Sequence, residues 1–487
     1  MNLQELLKAF TSVDELPDLE IDNLELDSRD VVSGTLFFAV KGEHFDGTQF
    51  ISNAIERGAV AILVESPSKA VVFENKIPVI PVLALQKKMG DIAAKFYSYP
   101  TKAMDVIGVT GTNGKTSVCY LLAQVLGGLN KKVAVIGTLG NGDIRSLKKT
   151  SFTTPFSIAL QKQFAEFKKE GFDAVVMEVS SHALDQGRTN AIEFDYAVFT
   201  NLSRDHLDYH ETMEAYGAAK KRLFSFSSLK AAVINVDDPF GKAFSSELPE
   251  TLPVCTYSTN EKGADVIAYD IHFGAKGISS TIQTEKQNYD LRLPLLGGFN
   301  LSNTLAVFSV LSIMKVDLNR AIQNLSHVQA VPGRMQMISR ENYPTAIVDF
   351  AHTPDALEKA LKALKAHASK DIVCVFGCGG DRDRGKRPMM AKIAEAFSDQ
   401  IIITNDNPRS ESPEQITEDI LVGLANKSHA VVELDRKKAI EKAITESSEH
   451  AMVLIAGKGH ETTQTIGQDV FEFSDLDVVK SIMNKGK

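Results

Sequence analysis

A short apolar run beginning at Val106 leads into Gly108-Val-Thr-Gly-Thr-Asn-Gly-Lys-Thr-Ser117, and that decapeptide opens an apolar helical pattern over Val118–Leu126. A strand turning through glycines into a helix is the repeating unit of a parallel α/β sheet, because parallel strands need a crossover and the helix supplies it. Glycines let the backbone wrap a phosphate without a Cβ clash, and the helix start adds N–H groups and its dipole. Lys115 is spaced to neutralise β- and γ-phosphates, and the Thr116 hydroxyl to ligate Mg²⁺. Gly111, Thr112, Asn113, Gly114, Lys115, Thr116 and Ser117 are therefore the expected ATP cradle. Val109 stands where the usual spacing has its first glycine, but a strand before and a helix after favour a phosphate loop over a chance turn.

The same alternation continues on both sides. Apolar runs at Val133–Ile136, Ala174–Met177, Tyr196–Phe199 and Ala231–Val236 read as buried parallel strands, as do Ala346–Val348, Ile372–Phe376, Ile401–Thr404 and Met452–Ala456. Upstream, Leu36–Val40 and Val60–Val64 alternate with a helix-like Phe50–Gly58, and Leu85, Met89, Ile92 and Phe96 share one helical face before Tyr99-Pro100 stops it. Thr353-Pro354 reads as N-cap and first position of a helix carrying Leu357, Leu361 and Leu364. At about 150 residues per domain, 487 residues suggest three. The expected division is an N-terminal α/β domain at 1–88, a central P-loop domain with a parallel sheet at 89–331, and a C-terminal Rossmann-like α/β domain at 332–487.

Bulk properties narrow the function. Fifty-three basic and 62 acidic side chains leave a net charge of −9, which argues against a broad nucleic-acid footprint. Met1–Glu20 has no apolar core of a signal peptide, and no apolar run approaches the ~18 residues that span a bilayer. Cys119, Cys255, Cys374 and Cys378 are scattered; Cys374 and Cys378 suggest a metal only if a second pair accompanied them, so buried free thiols in a reducing cytoplasm are expected.

Polar clusters follow several strands, where open α/β sheets bind their ligands. Glu178 ends one strand, and Thr200–His210 offers His206, Asp208 and His210 after another. Alone, these fit a solvated loop or a zinc site; beside a phosphate loop, Glu178 and His206 completing a Mg²⁺ shell is the better account. By composition Lys220 is an ordinary helix lysine. Gly379–Pro388 and Asp406–Glu411 are either charged surface turns or, together, one anion pocket.

The Thr-Gly-Thr-Asn-Gly-Lys-Thr form resembles the Mur ligases and their relatives the folylpolyglutamate synthases, and the resemblance to the Mur ligases covers essentially the whole chain. It implies that Lys220, in Tyr216-Gly-Ala-Ala-Lys220, is carbamylated by CO₂ and becomes an oxygen ligand for a second Mg²⁺ beside Thr116, Glu178 and His206. It implies adenine-side contacts from Asn300, in Gly297–Asn303, and closure over ATP by Arg334 and Asp349; Phe350 sits where many relatives have Tyr. Leu26, Ser28, Glu43, His44 and Phe45 match the uridine-nucleotide segment of the first domain, and Thr153, Thr154, Ser180, Gln186 and Arg188 the dipeptide end of that substrate. Phe152 departs from the Asn often found before the Thr pair.

Asp406-Asn407-Pro408-Arg409 looks like the motif of family members that take meso-diaminopimelate, with Arg382, Gly457 and Glu461 completing its pocket. Arg409 can clamp a distal carboxylate bidentately, whereas L-lysine, the alternative donor, would leave it unpaired at roughly 1–3 kcal/mol. The activity implied is ATP-dependent amide formation on UDP-N-acetylmuramoyl-L-Ala-D-Glu through an acyl phosphate, by a monomer. A folylpolyglutamate synthase would share the ATP loop but lack the first domain and Asp406–Arg409.

Overall fold

The strands Tyr196–Phe199, Ile372–Phe376 and Met452–Ala456 and the helix Leu85–Phe96 have the bounds that their apolar spacing predicts. In the computed structural model, which describes residues 1–42, 46–150, 152–260 and 262–484, the chain divides into two compact units, Met1–Cys255 and Thr256–Lys487.

Two sheets organise the first unit. The smaller runs Asn23–Glu25, Thr35–Ala39, Ala59–Glu65, Ile77–Val82, Val72–Glu74, parallel except for its last pair. Leu85, Met89 and Ile92 of the following helix are buried in its core beside Leu36, Phe38 and Leu63. Full burial contributes about 1.5–3 kcal/mol for each such aliphatic side chain, which is why the stripe fixes the helix there. In the larger sheet Asp105–Thr110 lies between Tyr196–Phe199 and Ala174–Glu178, followed by Val133–Gly137, all parallel, with Gly140–Asp143 antiparallel at one edge. Its strands end together at Thr110, Glu178 and Phe199, so the polar segments that follow them share one edge.

In the second unit, Val266–Gly274, Gly277–Thr284 and Asn288–Leu293 form an antiparallel meander that the apolar pattern does not announce. The buried face of the middle strand is Ile278, Ser280, Ile282, and the serine interrupts the alternation that would betray it. A six-stranded sheet follows in the order Gln336–Ile338, Thr345–Asp349, Met452–Ala456, Ile372–Phe376, Gln400–Ile403, Ala430–Val432, parallel except for the first pair. Thr353 caps the helix Pro354–His367 through the Ala356 N–H, and Leu357, Leu361 and Leu364 enter the core beneath.

A helix runs from Gly298 to Ile313. Gly297, at φ 87°, supplies the turn before it, so Asn300 and Asn303 lie on its opening turns and not in a loop. All four cysteines are buried and free, and burial pushes the Cys374 and Cys378 thiols up to about 12. Among the described residues no helix is long and apolar enough to cross a membrane.

Candidate active site

The loop after Asp105–Thr110 is held by its neighbour strand's exit. Thr112 N–H donates to Asn201 O at 2.8 Å, Asn113 N–H to Asn201 Oδ1 at 2.9 Å, and Thr200 Oγ1 to Asn113 O at 2.6 Å. Gly111 sits at φ 145°, and a Cβ there would fall 1.9 Å from Thr200 Oγ1, so only glycine fits. Lys115, at the start of the helix Lys115–Gly128, folds back to donate to Gly111 O (2.9 Å) and Thr112 O (2.8 Å). Desolvation lowers its pKa, and the Glu178 and Asp205 carboxylates oppose that shift.

Thr116 Oγ1 donates to Glu178 Oε2 at 2.9 Å, while Glu178 Oε1 accepts from Thr138 N–H at 2.8 Å. Gly137 makes room for this carboxylate: a Cβ would lie 2.3 Å from Oε1. Thr138 Oγ1 also reaches Thr153 Oγ1 at 3.1 Å. The residues expected to hold the dipeptide end of the substrate assemble beside it. Thr154 Oγ1 donates to Glu178 O (2.8 Å) and accepts from Ser180 N–H (3.1 Å), and Arg188 bonds Thr154 O (3.1 Å) and Gln186 Oε1 (2.8 Å). The guanidinium also lies over the rings of Phe156 and Phe152, so the residue found in place of the common Asn packs this arginine.

Lys220 is not the solvated helix lysine that composition suggests. It is 1% exposed, its Nζ donates to Gly111 O at 2.9 Å, and it lies 4.2 Å from the Tyr216 ring centre. Desolvation, reinforced by the Lys115 charge, lowers its pKa to about 6, which favours the neutral amine. Two lysines thus share one carbonyl, and among the described residues neither has an ion-pair partner. His206, at φ 53°, packs against His182 and Tyr216. His210 bonds Ser181 Oγ at 2.9 Å instead, its pKa lowered by desolvation and by His182. Among the described residues, no three His, Cys, Asp or Glu side chains form a group that could hold a metal.

Ser28 is buried in a single turn capped by Asp27, just after Asn23–Glu25, and Leu26 packs on the first core. Glu43, His44 and Phe45 lie outside the described residues.

In the second unit Asn300 Nδ2 donates to Leu296 O at 2.8 Å. Asp349 accepts from Met335 N–H (2.7 Å) and Ala351 N–H (2.8 Å); burial raises its pKa against those bonds and the charge of Arg334, whose guanidinium lies over Phe350. Gly457 N–H donates to Asp349 O at 3.0 Å. Asp406 O accepts from Gln464, and Asn407 joins Lys458 (3.1 Å) and Glu461 (3.0 Å), which are themselves paired at 2.8 Å. Desolvation raises the Glu461 pKa, but the bonds from Lys458 and Asn407 outweigh it and hold the carboxyl below its usual range. Asn407 O and Pro408 O accept from Gly380 and Glu411 N–H groups, and Arg409 Nη1 donates to Gly380 O at 2.8 Å. Arg382 is exposed on the Gly379–Pro388 loop. The two loops expected to form one pocket are therefore tied together.

Three family models match: the Mur ligase family catalytic domain over residues 20–97, the Mur ligase middle domain over 109–311, and the Mur ligase glutamate ligase domain over 333–459. The chain belongs to the Mur ligase family. A UDP-N-acetylmuramoyl-L-alanyl-D-glutamate–2,6-diaminopimelate ligase of Coxiella burnetii is 48% identical over 98% of this chain and 97% of its own length. One of Haemophilus influenzae is 44% identical over 97% and 99%. A solved structure of a ligase of the same name is 35% identical, with TM-score 0.79, covering 100% of this chain and 99% of that one.

Within this Mur ligase, sequence reasoning passed over the groups that hold the site residues in place. Thr138 and Asn201 brace Glu178 and the phosphate loop. Lys458, Arg387 and Arg436 brace the second unit's loops: Arg387 pairs with Glu411 and Asp419, and Arg436 with Asp475, both arginines fully buried. The signal for the arginines was faint, a charged residue opening an otherwise apolar helical face.

Proposed function

We propose that this Mur ligase joins meso-2,6-diaminopimelate to the D-Glu γ-carboxylate of UDP-N-acetylmuramoyl-L-Ala-D-Glu, at the expense of ATP. The observation that carries the reading is Lys115 on Gly111 O and Thr112 O with, among the described residues, no ion-paired negative charge. A triphosphate supplies that charge, and the glycine loop and helix start supply its N–H donors. Lys115 exchanges two carbonyls for β- and γ-phosphate oxygens, with Gly111, Thr112, Asn113, Gly114, Thr116 and Ser117 around it.

The acceptor carboxylate attacks the γ-phosphorus, ADP leaves, and an acyl phosphate forms, converting a poor electrophile into one with a good leaving group. The donor amine then adds to that carbonyl, and the tetrahedral adduct expels phosphate, leaving the amide and one proton. Thr153, Thr154, Ser180, Gln186 and Arg188 hold the acceptor acid, and Leu26 and Ser28 the nucleotide end.

The Thr116 hydroxyl and Glu178 carboxylate form an oxygen pair at the helix start, and oxygen donors suit Mg²⁺. Lys220 as an ammonium does not fit such a site; its buried neutral amine is the form that takes up CO₂, and the resulting carbamate fits. Mg²⁺ held by Thr116, Glu178, His206 and carbamylated Lys220 would neutralise charge on the transferring phosphoryl group.

Donor choice rests on Arg409 and Glu461, opposite charges on two tied loops, which match the carboxylate and amine at the distal end of diaminopimelate. Arg382, Asp406, Asn407, Pro408 and Gly457 complete that pocket, and Asn300, Arg334 and Asp349 serve ATP. The proposed division of labour is 1–88 for the nucleotide substrate, 89–331 for ATP and 332–487 for the amino acid, in a cytoplasmic monomer. Phosphate release from purified protein with ATP and UDP-N-acetylmuramoyl-L-Ala-D-Glu, given diaminopimelate or L-lysine, tests the proposal. Release only with lysine, or with neither, would overturn it.

A further inference from the structure

His367, the last residue of the helix Pro354–His367, has no part in the mechanism above, yet it is 3% exposed and bonded at both ring nitrogens. Nε2 accepts from Gly297 N–H at 2.8 Å, so it carries no proton. Nδ1 lies 2.8 Å from Gly274 O and therefore carries one. The neutral ring spans the end of strand Val266–Gly274, where Phe273 packs edge-on at 5.0 Å, and the turn that starts helix Gly298–Ile313. Gly297 O in turn accepts from Asn300 N–H at 2.9 Å, so the histidine holds the residue that sets Asn300.

We propose that His367 is a positioning residue for ATP use, tying the helix Pro354–His367 to the nucleotide-side segment Gly297–Asn303. The inference rests on the reading of Asn300 as an ATP contact. Protonation at Nε2 would set N–H against N–H and open the tie. Burial lowers the pKa of His367, opposed by the carbonyls of Gly274 and Gly277; among the described residues no charged side chain contributes, so the tie is intact at neutral pH.

Two substitutions separate the two bonds. Glutamine reaches the Nε2 position with an amide oxygen and does not titrate, whereas asparagine can replace only the Nδ1 donor. His367→Asn is expected to raise KM for ATP about tenfold with a smaller change in kcat, and to speed hydrogen exchange of the 297–303 amides; His367→Gln keeps both near wild type. At pH values low enough to protonate His367, below its ordinary 6.5, KM for ATP should rise more in wild type than in His367→Gln. Wild-type KM and exchange in His367→Asn, or faster exchange with unchanged KM, would overturn the positioning role. If Asn300→Ala leaves KM for ATP unchanged, the reading of Asn300 fails, while the exchange result still reports on the tie.

Discussion

The buried basic side chains of the two units are treated in opposite ways. In the first, Lys115 and Lys220 converge on one backbone carbonyl and, among the described residues, have no carboxylate partner. In the second, the buried cations are neutralised internally: Arg436 with Asp475 at 2.7 Å, Arg387 with Glu411 and Asp419, Lys458 with Glu461. An unpaired buried charge destabilises the fold and persists where a ligand answers it, whereas a paired one locks local geometry. Lys115 is therefore poised for a polyanion, Lys220 is left as an amine that burial favours uncharged, and the second set builds the frame on which Arg409 and Glu461 are displayed.

The sharpest way to break this contrast is to remove one basic side chain from each set. Arg436→Ala leaves Asp475 buried and unpaired and also abandons Ala456 O and Asn405 O, so it should cost about 3–5 kcal/mol of stability. Chemical denaturation measures this; a loss below about 1 kcal/mol would mean that the pair is not structural. Lys220→Ala removes an unpaired amine instead. It should lower kcat about a hundredfold to a thousandfold, with partial rescue by added short carboxylic acids, and leave the melting temperature undiminished. A variant that melts early while retaining turnover would invert the comparison.

Much of the frame was readable from the amino-acid order, and the failures have physical causes. Strands such as Ile372–Phe376, buried on both faces, announce themselves as uninterrupted apolar runs. The meander around Gly277–Thr284 covers only one face and spends a core position on Ser280, so its pattern is diluted. The phosphate loop was legible because its chemistry is local. Lys220 was legible only through the family resemblance: its burial comes from contacts such as Gly111 O, 109 positions away, and spacing along one helix carries no trace of that carbonyl. Thr138 and Lys458 escaped notice for the same reason, since each acts through the residue it orients.

Arg409→Ala sharpens the contrast from the donor side. It removes the guanidinium held by Gly380 O but no buried ion pair, so it should raise KM for diaminopimelate roughly 10- to 100-fold, about 1–3 kcal/mol. KM for ATP and the unfolding midpoint should stay near wild type. Equal damage to both substrates, seen in initial-rate kinetics, would remove the arginine from the donor pocket.

The smallest effect is expected at Thr138, the hydroxyl that joins the Glu178 carboxylate to Thr153. Valine keeps the backbone N–H bond to Glu178 Oε1 at 2.8 Å and the shape of the side chain, and removes only the bridge. Thr138 is exposed, so water can replace the lost partner and the change should stay within about 0.5–1.5 kcal/mol, a few-fold in rate. Its distribution is more telling than its size. If the bridge aligns the acceptor with the phosphoryl group, KM for the acceptor and kcat should both worsen while KM for ATP holds. A rise in KM for ATP alone would mean that the hydroxyl serves Glu178 only, and that the acceptor cluster is oriented by Thr154 and Arg188 without it.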